Sequence, residues 1–257
     1  MSTWVRLLAA GVAWVVGVAV LEAQSLGERV PFTVGERLFY RVSASRVGSI
    51  GHGEMSVEGP VTVRSVPVFL LRFVVTVRVG PIKGVDESQS WFDPVRVGVL
   101  RFRKTERHFV NRFTEDVELF PDEQRWREAG GASGVMASAA PLDELSFIYF
   151  LRTLEYTSDT TRRFDRHYDV RRRPTSVRFM GRATVRVAAG TFAAVVIEMR
   201  VLDPRRYHGE GVLRLHLTDD ACRVPVRIES TMPLFGTTVL QLDRRPADAP
   251  PRTPCDR

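Results

Sequence analysis

Two histidines and a glutamate are the residues whose types most suggest a metal site. His208, Glu210 and His216 fall within one nine-residue window. Their spacing matches neither HExxH nor another zinc-binding pattern, and His216 lies between leucines that alternate with it. We therefore expect solvated histidines on a loop and a strand, and we expect neither a metal nor a cofactor.

Serine and carboxylate side chains offer a second chemistry, which is hydrolysis. Ser133 lies in a Gly-Ala-Ser-Gly run that lacks the final glycine of the G-x-S-x-G motif. Asp143 and Ser146 have the spacing of a helix cap, which we favour over an acid and a nucleophile. A glycosidase needs two carboxylates that meet in space, and the sequence singles out no pair. An envelope-polymer hydrolase is the least supported function, and we lean against an enzyme.

Arginine dominates the charge of the chain. The 37 Lys+Arg exceed the 30 Asp+Glu and give a net charge of +7. We expect the strand arginines to form a solvated face with acidic partners on neighbouring strands, namely Glu198, Glu210 and Glu229. For Arg171, Arg172 and Arg173 two alternatives stay open: the same solvated face, or contact with an anionic surface such as phospholipid head groups or acidic polysaccharide.

The first 23 residues have the pattern of a secretory signal peptide. Arg6 precedes an apolar stretch over 7–21, and cleavage after Ala23 places a small residue at the cleavage site. The apolar stretch is shorter than the ~20 residues that span a bilayer. An uncleaved segment that associates with the membrane is the alternative. In both cases we expect an exported protein of the periplasm or cell envelope, for which nucleic acid is not a partner.

Export affects the interpretation of the two cysteines, Cys222 and Cys255. An oxidising compartment would allow them to form a disulfide that ties down the C-terminal tail. Two free thiols are the alternative. The sequence contains no CxxC motif, so it indicates neither a redox dithiol nor a structural zinc site.

Most of the chain alternates apolar and polar residues with a period of two. Residues 68–79 carry one wholly apolar face, and 177–188 repeat the pattern with a single interruption at Gly181. About twelve strands are expected: 37–43, 51–57, 68–79, 85–92, 95–104, 109–120, 164–170, 177–188, 192–201, 213–217, 224–228 and 237–242. Short turns between them predict a mainly β fold, a strongly curved antiparallel meander sheet that forms a half-barrel or open barrel.

One segment, 141–154, has helical spacing instead. Its apolar residues surround the helix on nearly every side, which predicts a buried helix that lies inside the curved sheet and closes one end of the core. A buried Arg152 needs a carboxylate or backbone carbonyls as partners. We interpret Arg152 first as a structural clamp and second, together with Ser146 and Tyr149, as part of a ligand-binding cavity.

The remaining segments define the domain organisation. We expect a single β-rich domain over 31–242 and a flexible Pro-rich tail over 243–257. The glycine-rich residues 128–137 are expected to form a flexible loop that leads into the helix.

Four sequence runs resemble a known family. They are PFTVGERLFY at 31–40, DELSFIYFLR at 143–152, AGTF at 189–192, and LTDD at 217–220 with PVRIES at 225–230. In this order they resemble the bacterial domain-of-unknown-function family 3108, although Ala188 stands where relatives usually have proline. The resemblance implies an exported or membrane-associated protein of mostly curved β structure without an established activity. The architecture of the family is similar to that of lipoprotein-carrier half-barrels, an analogy of fold that does not fix function.

Three functions follow as hypotheses. The first is a non-catalytic module that binds a lipid-like or other hydrophobic ligand in the concavity of the sheet. The second is a structural or assembly factor of the cell envelope that acts through an arginine-rich face. The third is the hydrolase. The expected partner is a lipid or another envelope component.

Overall fold

The computed structural model describes residues 29–108, 112–157, 160–203, 209–232 and 236–244. The predicted signal peptide, the tail from 245 onward, His208 and Cys255 lie outside these residues. The described part contains fourteen strands. Strands β1 to β8 are Arg37–Ala44, Gly48–Val63, Val66–Val79, Ile82–Asp93, Gly98–Arg107, Arg112–Phe120, Arg125–Glu128 and Ser133–Val135. Helix α1 is Glu144–Arg152, and strands β9 to β14 are Thr161–Phe164, Thr175–Val187, Gly190–Asp203, Gly209–Thr218, Pro225–Met232 and Gly236–Arg244.

All fourteen strands belong to one antiparallel sheet. Its order is β8-β7-β6-β5-β4-β3-β2-β1-β14-β13-β12-β11-β10-β9, so β1 lies near the middle and pairs with both β2 and β14. The outer strands β8 and β9 follow each other in the chain, with α1 between them, and they do not pair. The sheet is therefore not closed into a barrel, and the predicted fold class is confirmed.

Local sequence features explain where strands turn and bend. A short turn, expected between the predicted strands 177–188 and 192–201, joins β10 to β11, which pair from Ser176–Arg200 to Val187–Gly190. Gly181 lies where the register of this pair shifts, and its φ of +120° is a conformation that glycine adopts without strain. The interrupted apolar pattern at Gly181 thus marks a β-bulge.

Two of the expected segments are wrong. Residues 128–137 are not a flexible loop, because β8 pairs with β7 from Val135–Arg125 to Ser133–Arg127. Residues 164–170 are not a strand. Strand β9 ends at Phe164, and the following residues pair with the backbone of Leu142 instead of with the sheet. Leu142 N–H donates to Arg166 O at 2.7 Å, and the Leu142 carbonyl accepts from Tyr168 N at 3.0 Å.

The helix begins at Glu144 rather than at 141, because the backbone of Leu142 is used in this bridge. Every residue from Leu145 to Arg152 is buried, as the apolar sequence predicts. Phe147 and Phe150 pack edge-on against Phe164 of the outer strand β9, with ring centroids 6.1 and 5.2 Å apart. In the described part of the chain, no helix is long and apolar enough to cross a membrane.

Candidate functional site

A cavity of about 150 Å³ lies between the start of α1 and the sheet. Its lining comes from α1 and from strands in both halves of the sheet, β3 to β5 and β10 to β14, which shows that the sheet curves around the helix. Most of the lining is apolar and includes Phe73, Leu145, Ile148, Met199, Leu213 and Leu240. Polar side chains gather near the helix start and come chiefly from Asp143, Glu144, His167, Lys104, Arg172 and Asp203.

Asp143 is the N-cap of α1. Its Oδ1 accepts hydrogen bonds from Leu145 N at 2.8 Å, Ser146 N at 2.9 Å and Ser90 Oγ at 2.9 Å. In return, Ser146 Oγ accepts from Asp143 N at 2.9 Å, which completes a capping box. The capping interpretation of Asp143 and Ser146 is confirmed. Asp143 is fully buried, its Oδ2 has no hydrogen-bond partner, and burial raises the pKa of its carboxyl to about 7.

Glu144 lies in the first turn of α1 and forms an ion pair with Arg172 through Oε1. Burial alone would raise the pKa of its carboxyl, but the positive charges of Lys104 and Arg172, together with His167, outweigh burial and lower this pKa to about 2. The carboxyl is therefore ionised at neutral pH. Its second oxygen, Oε2, is covered and has no hydrogen-bond partner.

His167 reaches the cavity through the backbone bridge to Leu142. Its Nδ1 accepts a hydrogen bond from Asp169 N at 3.1 Å, so the ring proton lies on Nε2. Burial lowers the pKa of the imidazole to about 4, and the ring is neutral at pH 7. Nε2–H is a buried donor without an acceptor among the described residues.

The cations at this end of the cavity are already paired. Lys104 lies 2.9 Å from Glu106, and Arg172 lies 3.7 Å from Asp203 in addition to its ion pair with Glu144. Negative charge near Arg172 raises the pKa of its guanidinium. The polar end therefore combines paired charges with single hydrogen-bonding atoms that have no partner.

Ser146, Tyr149 and Arg152, the residues predicted to bind a ligand, do not line this cavity. Ser146 belongs to the capping box, and Tyr149 Oη donates to Ser56 O at 3.4 Å. Arg152 donates to both carboxylate oxygens of Glu36, at 2.6 and 2.8 Å. The clamp interpretation of Arg152 is confirmed, and its partner Glu36 lies immediately before β1. A role of Ser146, Tyr149 and Arg152 in ligand binding stays a prediction.

The arginine run does not form one uniform face. Arg171 is 77% exposed and pairs with Asp169 at 2.8 Å, whereas Arg172 is 11% exposed and lines the cavity. Arg173 has a buried Nε without a hydrogen-bond partner. Contact of this run with an anionic surface stays a prediction.

Glu198, Glu210 and Glu229 do pair with strand arginines, but the expected pairing across neighbouring strands is confirmed only in part. Arg200–Glu210 and Arg214–Glu198 join β11 and β12, whereas Arg200–Glu198 and Arg227–Glu229 each lie within one strand. Arg200 lies 3.0 Å from Glu198 and 2.9 Å from Glu210, and Arg227 lies 2.6 Å from Glu229. These pairs are exposed or half-buried, so they contribute mainly to solubility.

Glu144 and His167 carry two of the atoms without a partner, and neither has a strong signal in the sequence. The sequence marks Glu144 only as part of a helix start, and it predicts a strand over 164–170, where His167 lies. The signal for Glu144 was its position beside the cap residue. His167 depends on the Leu142 bridge, a contact across 25 residues for which the sequence has no local signature.

The described ranges contain no group of three or more His, Cys, Asp or Glu residues that could hold a metal ion. Cys222 is disulfide-bonded, while Cys255 lies outside the described residues.

Asp143 and Glu144 are neighbouring carboxyls, one with a raised pKa and one with a lowered pKa. Acid–base catalysis uses such pairs. Here, however, both carboxyls also have structural contacts, because Asp143 caps the helix and Glu144 is in an ion pair.

Comparison with one solved structure supports the fold, and two others are similar at lower TM-scores. A β-barrel-like protein of the domain of unknown function DUF1849 from Brucella abortus has a TM-score of 0.53 at 9% identity, covering 82% of this chain and 96% of that one. A protein from Bacteroides fragilis, described as exported with a YmcC-like fold, has a TM-score of 0.35 at 12% identity, with 84% and 97% covered. A protein from Parabacteroides distasonis, described as a lipoprotein, has a TM-score of 0.32 at 10% identity, with 84% and 97% covered.

Comparison of the sequence gives the family. No curated protein matches the chain. The model of the family described as "protein of unknown function (DUF3108)" matches residues 39–243, which include every strand from β2 to β13 and the whole of α1. The chain therefore belongs to the DUF3108 family of proteins of unknown function.

Proposed function

We propose that this protein is an exported, non-catalytic binding module of the cell envelope that holds a small hydrophobic molecule between α1 and the sheet. The cavity carries this proposal, because its lining is mostly apolar and two halves of one sheet contribute to it. Export is supported by the signal-peptide pattern of residues 1–23.

The size of the cavity restricts the ligand. An apolar cavity of about 150 Å³ takes up benzene in another protein, and this one has the same volume. The occupant is therefore a benzene-sized molecule, or a comparable terminal portion of a longer chain. A complete lipid with two acyl chains does not fit.

Toluene is a suitable probe for this proposal. Its binding should stabilise the protein by about 1.4 kcal/mol when its free concentration is ten times Kd. A domain of this size should then melt about 3 °C higher. Saturation-transfer NMR measures the contact between toluene and the protein directly. Absence of both effects up to the solubility of toluene would contradict the proposal.

Two matched valine substitutions locate the binding. Val201 on β11 lines the cavity, whereas Val135 on β8 is 64% exposed and lies outside it. V201F should fill the cavity and abolish binding of toluene, and V135F should bind toluene like the wild type. If both variants bind toluene equally well, the ligand occupies another part of the molecule.

The natural occupant can be sought in protein purified from its own compartment. Native mass spectrometry should show a co-purifying molecule with an apolar body, and its removal should lower the melting temperature. A protein that carries no such molecule, and whose stability does not change after extraction with a mild detergent, would count against the proposed function.

A further inference from the structure

Three side chains near the start of α1 each have one polar atom with a partner and one without. Asp143 uses Oδ1 in the helix cap, Glu144 uses Oε1 in the ion pair with Arg172, and His167 uses Nδ1 to accept from Asp169 N. In each residue the other polar atom is buried without a hydrogen-bond partner. One polar atom of each side chain therefore makes a contact within the fold, and the second, called a leftover atom below, has no hydrogen-bond partner.

Most of the residues that carry such leftover atoms line one cavity. Five buried side-chain atoms lack partners in the described part of the chain, and three of them belong to residues that line the cavity: Asp143, Glu144 and His167. A buried polar atom without a partner costs about 1–3 kcal/mol. That three such residues line one cavity suggests that a bound molecule supplies the missing hydrogen bonds.

The chemistry of two of these atoms, on His167 and Glu144, determines which groups that molecule offers. His167 Nε2–H needs an acceptor, and the ionised Glu144 Oε2 needs a donor. A charged group is disfavoured, because Lys104 and Arg172 already have carboxylate partners and Glu144 already has a cationic one. A hydroxyl or a primary amide both donates and accepts hydrogen bonds without carrying a charge.

We propose that the cavity binds a small amphiphile whose apolar body packs on the sheet and whose uncharged alcohol or amide head reaches Glu144 and His167. This inference rests on the proposed function, since it requires that an apolar ligand occupies the cavity. It adds the chemical class of the head and the residues that recognise it.

A series of probes with one apolar body tests the head. Toluene, benzyl alcohol, benzamide, benzoate and benzylammonium differ only in the group attached to the ring. At pH 7, benzyl alcohol and benzamide should bind about tenfold more tightly than toluene, which corresponds to two net hydrogen bonds. Benzoate and benzylammonium should bind no more tightly than toluene. Dissociation constants from isothermal titration calorimetry provide the comparison.

A matched pair of histidine substitutions identifies the donor. H167F removes Nε2–H and keeps an aromatic ring, so the preference for benzyl alcohol over toluene should fall to threefold or less. His216 also has a buried ring nitrogen without a partner, but it does not line the cavity. H216F should therefore keep the tenfold preference. Circular dichroism checks that both variants fold, and the series on the wild-type protein needs no variant.

The outcomes separate this inference from the proposed function. If no probe binds, including toluene, the proposed function fails. If toluene binds and the alcohol and amide bind no more tightly, or if benzoate or benzylammonium binds most tightly, only the assignment of the head is overturned. A preference that H167F leaves at tenfold would overturn the role of His167.

Discussion

The Arg152 clamp gives a prediction that can be worked out from its contacts. The side chain of Arg152 is fully buried and donates to the Glu36 carboxylate at 2.6 and 2.8 Å, and to the carbonyls of Cys222 and Pro31 at 3.1 Å each. Its guanidinium also lies 5.1 Å from the centroid of the Phe32 ring. One residue at the end of α1 thus holds the chain before β1 and the turn between β12 and β13.

Arg152→Met should lower the free energy of unfolding by about 3–5 kcal/mol, the cost of breaking a buried ion pair by removing one partner. The magnitude is large because the Glu36 side chain is only 10% exposed and its carboxylate would lose its cationic partner. The carbonyls of Cys222 and Pro31 would lose a donor as well. Methionine keeps much of the volume, so a cavity contributes little to the change.

Urea unfolding followed by circular dichroism measures this change. Arg171→Met is the matched control, because Arg171 is 77% exposed in its pair with Asp169, and the expected change is below about 1 kcal/mol. The double variant R152M/E36Q should recover at least about 1 kcal/mol relative to R152M, since no buried charge is left unpaired. A loss below 1 kcal/mol for R152M, or no recovery in the double variant, would refute the clamp as a source of stability.

Three further predictions concern the helix start and the sheet. Because the folded-state pKa of Asp143 is about 7 and its ordinary value is 3.8, the stability that this group contributes is present below pH 4 and is lost as the pH rises to 7. D143N should therefore gain up to about 4 kcal/mol relative to the wild type between these pH values, and equal pH profiles in urea unfolding would contradict this. S90A removes the donor to Asp143 and should cost about 1 kcal/mol in the same assay, whereas no measurable loss would mean that this bond contributes nothing. G51A should cost at least about 2 kcal/mol, because a Cβ there would lie 1.9 Å from Thr76 O, while G130A, with open space around it, should melt like the wild type.

The fold was predictable from the sequence because alternation is a local signal. Residues 68–79 carry the pattern without interruption and form β3, Val66–Val79. The short strands β7 and β8 are not predictable from the pattern, since strands of four and three residues are too short to show a period, and β8 also contains Gly134. The helix was recognised because its apolar residues follow a different period.

The candidate site was predictable only in part. The capping role of Asp143 and Ser146 and the clamp at Arg152 follow from residue types within one segment. The cavity requires the curvature of the whole sheet, and His167 requires its bridge to Leu142. Whether a buried polar atom lacks a hydrogen-bond partner is even harder to predict, because it depends on every residue that surrounds the side chain in the folded protein.

The position of the unpartnered atoms has an energetic meaning. At about 1–3 kcal/mol each, three of them represent a large cost in a protein whose net stability is on the order of 5–15 kcal/mol. Most of the polar side chains around them are satisfied, including the cap of α1 and the ion pairs of Lys104 and Arg172. Sequences that specify a fold break the rule of polar satisfaction chiefly at functional sites. Glu144 and His167 therefore mark the end of the cavity where the proposed ligand would complete their hydrogen bonds.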